Sequence, residues 1–74
     1  MKATIKELRE AALLTQEQLA EALGVSPSSI YKWEAGLVEP TLTNKRFFCE
    51  VVQVRPDQVR WRKAGVSGTR SKGV

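Results

Sequence analysis

Apolar residues in the segment 16–23 recur at the three- and four-residue spacing of a helix that buries one face. Glu17 and Glu21 fall on the opposite face, which is therefore expected to be exposed. Gly24 follows directly and ends the predicted helix, since glycine adopts the left-handed conformation at little steric cost. The buried positions are Leu19, Ala20 and Leu23.

The same periodicity predicts a second short helix over residues 27–35, with Ile30 and Trp33 facing inward. Ser26 is placed to cap the free amides at its start. Pro27 suits the first helical position because its missing amide had no partner there anyway. The outer face of this helix carries Ser28, Tyr31, Lys32 and Ala35.

Two helices this short are not stable alone and must pack against the rest of the chain. The small side chain of Ala20 allows the two helix backbones to approach closely, and Gly24 makes the corner between them. A short helix, a glycine turn and a capped second helix form the helix-turn-helix pattern. The second helix of that pattern is shaped to enter the DNA major groove.

Three further helices are predicted: one over residues 3–14, one over 42–52, and a short one that starts at Pro56 with Val59 and Trp61 inward. The buried face of the first carries Ile5, Leu8 and Ala12. The inward set of the fourth is Leu42, Phe48, Cys49 and Val52. Capping boxes are predicted at two helix starts, formed by Thr4 with Glu7 and by Thr15 with Gln18.

Arg9 falls at the edge of the buried stripe of the first helix, where a guanidinium needs a carboxylate partner. Glu34 is the best candidate because it follows the core residue Trp33. We therefore expect a largely buried ion pair that ties the first helix to the third. The alternative is that both are independent surface charges.

The chain has 74 residues and a net charge of +4, which suits one small domain with a polyanionic partner. Residues 1–59 hold seven basic and eight acidic side chains, so the surplus lies from Arg60 onward. From Ala64 the chain is rich in glycine, serine and basic residues and has no periodicity, which is typical of disorder. The expected organisation is a domain over 1–62 and a flexible basic tail over 63–74.

Several classes of function are disfavoured by composition. The chain has no histidine, which removes histidine bases and histidine metal ligands, and no glycine-rich phosphate loop. Cys49 is the only cysteine and is expected to be a core thiol, so no intrachain disulfide or cysteine zinc site is predicted. With no secretory signal and no apolar run long enough to span a bilayer, we expect a cytoplasmic protein that is not an enzyme, with no cofactor, metal or evident small-molecule ligand.

The segment LREAALLTQEQLAEALGVSPSSIYKWEAG resembles the DNA-binding domain of the Cro/Xre, lambda-repressor-like family, and the resemblance extends over residues 4–59. The shared features keep one register: an arginine in the first helix, Thr-Gln opening the second, a glycine turn, Ile-x-x-Trp-Glu in the third, and Pro-Thr-Leu before the fourth. The resemblance implies an all-α fold, a compact five-helix bundle. It also implies regulation of transcription, since members commonly repress or activate transcription as dimers, and we expect a repressor. The family's buried Arg–Glu pair falls on Arg9 and Glu34.

The resemblance also implies which residues face DNA. Gln16 matches a glutamine that contacts a DNA phosphate and braces the start of the recognition helix. Base-facing positions fall on Pro27, Ser28 and Lys32, and positions that tend to reach phosphates fall on Ser29 and Tyr31. The full set predicted to bind double-stranded DNA is Gln16, Ser26, Pro27, Ser28, Ser29, Tyr31 and Lys32.

The chemistry of these side chains agrees with base reading. Lys32 favours the O6 and N7 acceptors of guanine, whereas Ser28 discriminates little because it can donate or accept. Tyr31 offers a hydroxyl to phosphate or a ring to a thymine methyl group. The amides at the start of the second helix and the loop after Gly36 are expected to hold phosphates. The alternative for Lys32 is a solvated charge.

Four positions depart from the family pattern. Pro27 has no amide and no polar side chain, so a base contact made there by other members is lost. Leu13 and Gln53 stand where glycines are common, and Lys45 stands where a leucine is usual.

Three questions stay open from the sequence. Phe47, Val51 and Trp61 either form an apolar patch for a symmetric homodimer or complete the core. The basic tail is a DNA-binding arm, a linker or an inert segment. The rival function is a protein-interaction module of the same fold, such as an antitoxin or a coactivator.

Overall fold

The computed structural model describes residues 2–61, and within them four α-helices are joined by short turns. The helices are α1 (Ile5–Ala11), α2 (Gln16–Leu23), α3 (Pro27–Ala35) and α4 (Leu42–Val52). A short 3₁₀ turn follows at Pro56–Gln58. The strands β1 (Ala3–Thr4) and β2 (Val59–Arg60) pair in parallel, with Ala3 opposite Val59 and Thr4 opposite Arg60.

Each α-helix begins at a hydroxyl side chain that accepts a hydrogen bond from a backbone amide three residues later. The capping boxes predicted at Thr4 and at Thr15 are both present. Ser26 caps α3 and Thr41 caps α4 in the same way. Local side-chain chemistry therefore determines where the helices start.

The two ends of the predicted fold differ from the expectation of five helices. Residues 3–14 do not form one helix, because Ala3 and Thr4 are extended and α1 ends at Ala11. The predicted fifth helix is only a 3₁₀ turn, and the chain then pairs with β1 as β2. This ladder has only two residues in each strand, and it pairs the backbone of Ala3 and Thr4 with that of Val59 and Arg60.

The core lies between α2, α3 and α4. Its least exposed large side chains are Leu19, Ile30, Phe48 and Val59. Ile5, Trp33 and Cys49 are buried as expected. The predicted inward position of Leu42 is wrong: this residue is 76% exposed, since it lies in the first turn of α4 where the helix leaves the core.

Two non-glycine residues adopt the left-handed conformation at helix ends. Leu13 has φ 61° in the turn between α1 and α2, and Gln53 has φ 59° after α4. Gly24 and Gly36 adopt the same conformation after α2 and α3, so Leu13 and Gln53 stand at turns of the kind that favours glycine. A side chain there brings steric strain that glycine would not have.

Lys45 connects three parts of the structure. Its Nζ atom donates a hydrogen bond to Glu39 Oε2 at 2.7 Å and lies 5.3 Å from the ring centroid of Trp61. Trp61 in turn contacts Phe48 edge-on, with ring centroids 5.9 Å apart. This arrangement makes Trp61 part of the edge of the core.

The tail predicted over residues 63–74 lies outside the described residues. Among residues 2–61, no helix is both long enough and apolar enough to cross a bilayer.

Candidate nucleic-acid interface

The outer face of α3 is open to solvent. Tyr31 is 56% exposed, and Ser28 and Lys32 are exposed as well, whereas Ile30 and Trp33 are buried on the opposite side. The helical repeat alone produces this division, because residues three and four apart share a face. Three polar side chains are thus presented together on one exposed stripe.

The first turn of α3 is held by its own serines. Ser26 Oγ accepts a hydrogen bond from the amide of Ser29 at 3.3 Å, and the two hydroxyls are also 3.3 Å apart. Ser26 and Pro27 are exposed, and Ser29 is half-buried. Part of the hydrogen-bonding capacity of both serines is therefore used in capping the helix.

The predicted ion pair between Arg9 and Glu34 is present and buried. Arg9 Nε donates to Glu34 Oε2 at 2.6 Å, and Arg9 Nη2 donates to Oε1 at 3.2 Å. The exposed fractions of the two side chains are 10% and 6%. The hydrogen bond to Glu34 raises the pKa of Arg9, although desolvation opposes this, so the guanidinium stays charged.

The same carboxylate also positions Gln16. Gln16 Nε2 donates to Glu34 Oε1 at 3.0 Å, and Arg9 Nη1 donates to the carbonyl of Leu14 at 2.8 Å. Glu34 thus connects the last turn of α3 to α1 and to the first residue of α2. Gln16 was expected to brace the start of the recognition helix, whereas its side chain bonds a residue in the last turn of α3.

The start of α2 lies beside the outer face of α3. Lys6, Gln16 and Tyr31 line one shallow cleft, and the Arg9–Glu34 pair also borders it. The amides of Gln16 and Glu17 have no preceding carbonyl within the helix, as in the first turn of any α-helix. Lys6 was not predicted as a site residue. Its position three residues before Arg9 on the same helix could have indicated that it borders this cleft.

The loop after α3 was expected to hold phosphates, but its hydrogen bonds do not favour that role. The amides of Leu37 and Val38 both donate to the carbonyl of Lys32, at 2.9 and 3.4 Å. Their side chains are apolar and 61% and 44% exposed. These two amides already have a partner, so we do not assign them to phosphate binding.

Cys49 lies on the inner face of α4 and is 5% exposed. Burial raises the pKa of its thiol, which makes it a poor nucleophile. Across residues 2–61, no group of three or more cysteine and acidic side chains is arranged to hold a metal ion.

The profile of a helix-turn-helix family matches residues 5–59. The chain therefore belongs to this family, which is the Cro/Xre-type family that the sequence resembles.

Two curated proteins are similar to the chain. One is the HTH-type transcriptional activator BcrR of Enterococcus faecalis, 38% identical over 55 residues, which cover 74% of this chain and 27% of that protein. Another is the type II methyltransferase M.SsoII of Shigella sonnei, 35% identical over 79 aligned positions, which cover 92% of this chain and 21% of that enzyme. The chain thus spans about a quarter of the length of these relatives. No solved structure matches it at a significant level.

Proposed function

We propose that this chain binds double-stranded DNA in a sequence-specific manner and regulates transcription, with α3 lying in the major groove. The observation that carries the proposal is the exposed stripe of Ser28, Tyr31 and Lys32 on a helix whose other face is fixed in the core. Membership of a helix-turn-helix family and similarity to a transcriptional activator support it.

Within this proposal, Lys32 reads a guanine and Tyr31 contacts a phosphate or a thymine methyl group. Ser28 adds an adaptable hydrogen bond near the start of α3. Pro27 contributes shape only, since it has neither an amide nor a polar side chain. Few base edges are read, so one copy of the domain is expected to have modest specificity.

Phosphates are bound next to α3 by Gln16 and by the free amides in the first turn of α2. Gln16 keeps its carbonyl oxygen and its backbone amide outside the bond to Glu34. Ser26 and Ser29 border the same end of α3 and belong to this contact region. Because Glu34 fixes both Gln16 and Arg9, the phosphate and base contacts share one rigid frame.

Selection from a random pool of DNA duplexes tests this function. We expect recovery of a short motif in two copies about one helical turn apart, the spacing of symmetric half-sites. Recovery of random sequence only, together with no mobility shift on DNA flanking its own gene, would refute sequence-specific binding.

Repression is the direction we propose, because a compact domain bound across a promoter blocks polymerase without any further contact. The similarity to a protein named as an activator makes activation the competing outcome. A reporter gene under the selected sequence distinguishes the two, since repression lowers its expression and activation raises it. We expect this activity in the cytoplasm.

We further propose that the protein acts on DNA as a homodimer through α4. Phe47 is 47% exposed, and Val51, four residues later, is half-buried on the same side. Trp61 is instead engaged with Phe48 and Lys45, so we leave it out of the patch. Sedimentation of the wild type and of Phe47→Ser at high micromolar concentration tests this, with dimers expected only for the wild type.

The second candidate function is a protein-interaction module. The exposed aliphatic side chains of Leu37, Val38 and Leu42, close together in sequence after α3, favour it. Two results together would support this candidate: the protein recovers no DNA motif in the selection, and it binds a specific partner protein encoded in its own operon. Enzymatic activity is not proposed, and we attribute the similarity to a methyltransferase to a shared DNA-binding segment, since the chain spans only 21% of that enzyme.

A further inference from the structure

Three helices meet around the shallow cleft that lies beside the outer face of α3. The side chains that line it include Lys6 on α1, Gln16 at the start of α2 and Tyr31 on α3. The cleft has a volume of about 280 Å³, and a water molecule in the liquid takes about 30 Å³, so one phosphate group has ample room. Lys6 and Tyr31 are both exposed, so a ligand in solution can reach them.

The charged side chains that line this cleft are two cations and one carboxylate, namely Lys6, Arg9 and Glu34. Arg9 donates two hydrogen bonds to the Glu34 carboxylate, and Gln16 donates a third. The negative charge of Glu34 is therefore compensated inside the protein. An anion in the cleft meets the positive charge of Lys6 without facing an uncompensated carboxylate.

The ammonium group of Lys6 is not engaged by the part of the chain that the structure describes. Within residues 2–61 it makes neither a hydrogen bond nor an ion pair, although Glu10 lies four residues later on the same helix. The neighbouring Glu7 accepts a hydrogen bond from the amide of Thr4 at 2.9 Å, so its carboxylate serves the helix start. Lys6 can therefore give its full charge to a phosphate, which lysine binds as a point charge.

The outer face of α3 is divided between two edges. Tyr31 and Ala35, four residues apart, line the cleft, whereas Ser28 and Lys32, also four residues apart, do not. Tyr31 is thus on the side of α1 and of the start of α2, and the other edge is left for base reading. The phenol hydroxyl therefore lies with the groups suited to a phosphate.

We propose that Lys6 and Tyr31 together bind one DNA phosphate in this cleft, beside Gln16. The inference rests on the proposed DNA binding and deepens it in two ways. It adds a DNA contact on α1, and it assigns Tyr31 to the DNA backbone rather than to a thymine methyl group. Phosphate contacts carry no sequence information directly, but they fix the register of a protein on the duplex.

Counterion release provides the first measurement. Each phosphate neutralised on duplex DNA contributes about −0.9 to the slope of log K against log salt concentration. On a labelled duplex that carries the selected motif, we expect the slope to flatten by about 0.9 in Lys6→Gln and to stay unchanged in Lys6→Arg. Tyr31→Phe should weaken binding several-fold at an unchanged slope, because the phenol is uncharged. A wild-type slope in Lys6→Gln would exclude the contact.

The matched control is Arg46→Gln. It removes the same charge from an exposed residue that lines a different cleft, between α4 and the 3₁₀ turn. We expect its slope to stay near that of the wild type. Equal flattening in Arg46→Gln and Lys6→Gln would show that only net charge matters, which would overturn the inference. Thermal melts of each variant report whether the fold is intact.

A scan of single methylphosphonates along both strands tests whether the two side chains share one phosphate. Each substitution removes the charge of one phosphate, so its effect depends on whether a cation is bound there. We expect one position in each half-site where the substitution weakens the wild type several-fold and Lys6→Gln much less. Tyr31→Phe should lose sensitivity at that same position. Different positions for the two variants would contradict a shared contact.

Replacement of single thymines by uracil tests the rival role of Tyr31. Uracil lacks the methyl group that distinguishes thymine in the major groove. If Tyr31 read this group, one replacement would weaken the wild type but not Tyr31→Ala. We expect no thymine with this behaviour, and finding one would overturn the assignment of Tyr31 to a phosphate.

Failure of this inference can be distinguished from failure of DNA binding itself. If the wild type binds the selected duplex and Lys6→Gln keeps its salt slope, the cleft contact is wrong while the function stands. If the wild type recovers no motif and binds no duplex, both are wrong.

Discussion

Arg9 and Glu34 lie 25 residues apart in sequence, yet the guanidinium and the carboxylate face each other with two hydrogen bonds, the shorter of which is 2.6 Å. Glu34 also holds Gln16, so this one carboxylate connects α1, α2 and α3. A charged group that is almost fully buried is tolerated only when its hydrogen bonds are satisfied. The ion pair therefore helps to fix the position of α3 relative to α1 and α2.

Arg9→Met should lower the free energy of unfolding by about 3–5 kcal/mol, because it leaves the Glu34 carboxylate buried without its main partner. Urea denaturation followed by circular dichroism measures this. Lys6→Met is the control on the same helix, since Lys6 is exposed and its loss should change stability by less than about 0.5 kcal/mol. An Arg9→Met variant as stable as the wild type would contradict the role assigned to the pair.

Gln53→Gly should stabilise the domain by up to about 1 kcal/mol, because glycine removes the strain of φ 59° while adding some entropy to the unfolded chain. Leu13→Gly should act in the same direction, since Leu13 has φ 61° and is 88% exposed, so little packing is lost. Thermal melts of both variants measure the effect.

The matched control for these glycine variants is Gly24→Ala. Gly24 has φ 72°, and an added Cβ would meet no heavy atom within 4 Å, so any change reports the backbone alone. We expect a loss of about 1 kcal/mol. Destabilisation by Gln53→Gly would mean that the Gln53 side chain makes a compensating contact.

Lys32→Ala should relax base preference at one position of each half-site and weaken specific binding by about 1–3 kcal/mol. Selection from a random DNA pool with both proteins measures it. Lys2→Ala removes an equal charge from the exposed residue before β1 and should leave the selected motif unchanged. If Lys32→Ala selects the same motif as the wild type, Lys32 is a solvated charge.

Cys49 should react slowly with iodoacetamide at pH 8 in the folded protein and at least about tenfold faster in urea, because its folded pKa is raised by burial. The raised pKa of Cys49 also makes the free energy of unfolding depend on pH. The unfolded thiol ionises near pH 8.5, so the unfolded chain loses its proton first and stability falls as pH rises above that value. Mass spectrometry of the alkylated protein gives the rate, and equal rates in both states would place the thiol at the surface.

The centre of the fold could be predicted from the sequence, because local signals there agree with one another. For α2, the cap at Thr15, the apolar spacing and the stop at Gly24 all indicate the same helix. The pairing of Arg9 with Glu34 was also predictable, since a cation beside a buried stripe has few acceptable partners. These inferences need only helix geometry and the cost of burying charge.

The ends of the fold and the surroundings of Lys45 were not predictable in the same way. The turn after α1 depends on the left-handed backbone conformation of Leu13. Leucine rarely adopts this conformation, so its presence in the sequence does not predict the turn. The β1–β2 pairing joins two segments of two residues each, too short to show an alternating pattern. Lys45 is held by partners from two other parts of the chain, so only the tertiary structure reveals its place.

The parallel pairing of Ala3 with Val59 has a consequence for how this fold can be built into larger polypeptides. Neighbouring strands are about 4.8 Å apart and rise about 3.3 Å per residue, so the points where a polypeptide would join and leave the bundle lie within about 10 Å of each other, at opposite ends of this short ladder. The bundle can therefore be inserted into a surface loop of a host protein without moving the two ends of that loop far apart. A stretching force applied at both ends of the bundle would act first on the β1–β2 pairing. The hydrogen bonds of this two-residue ladder would break before the helices separate.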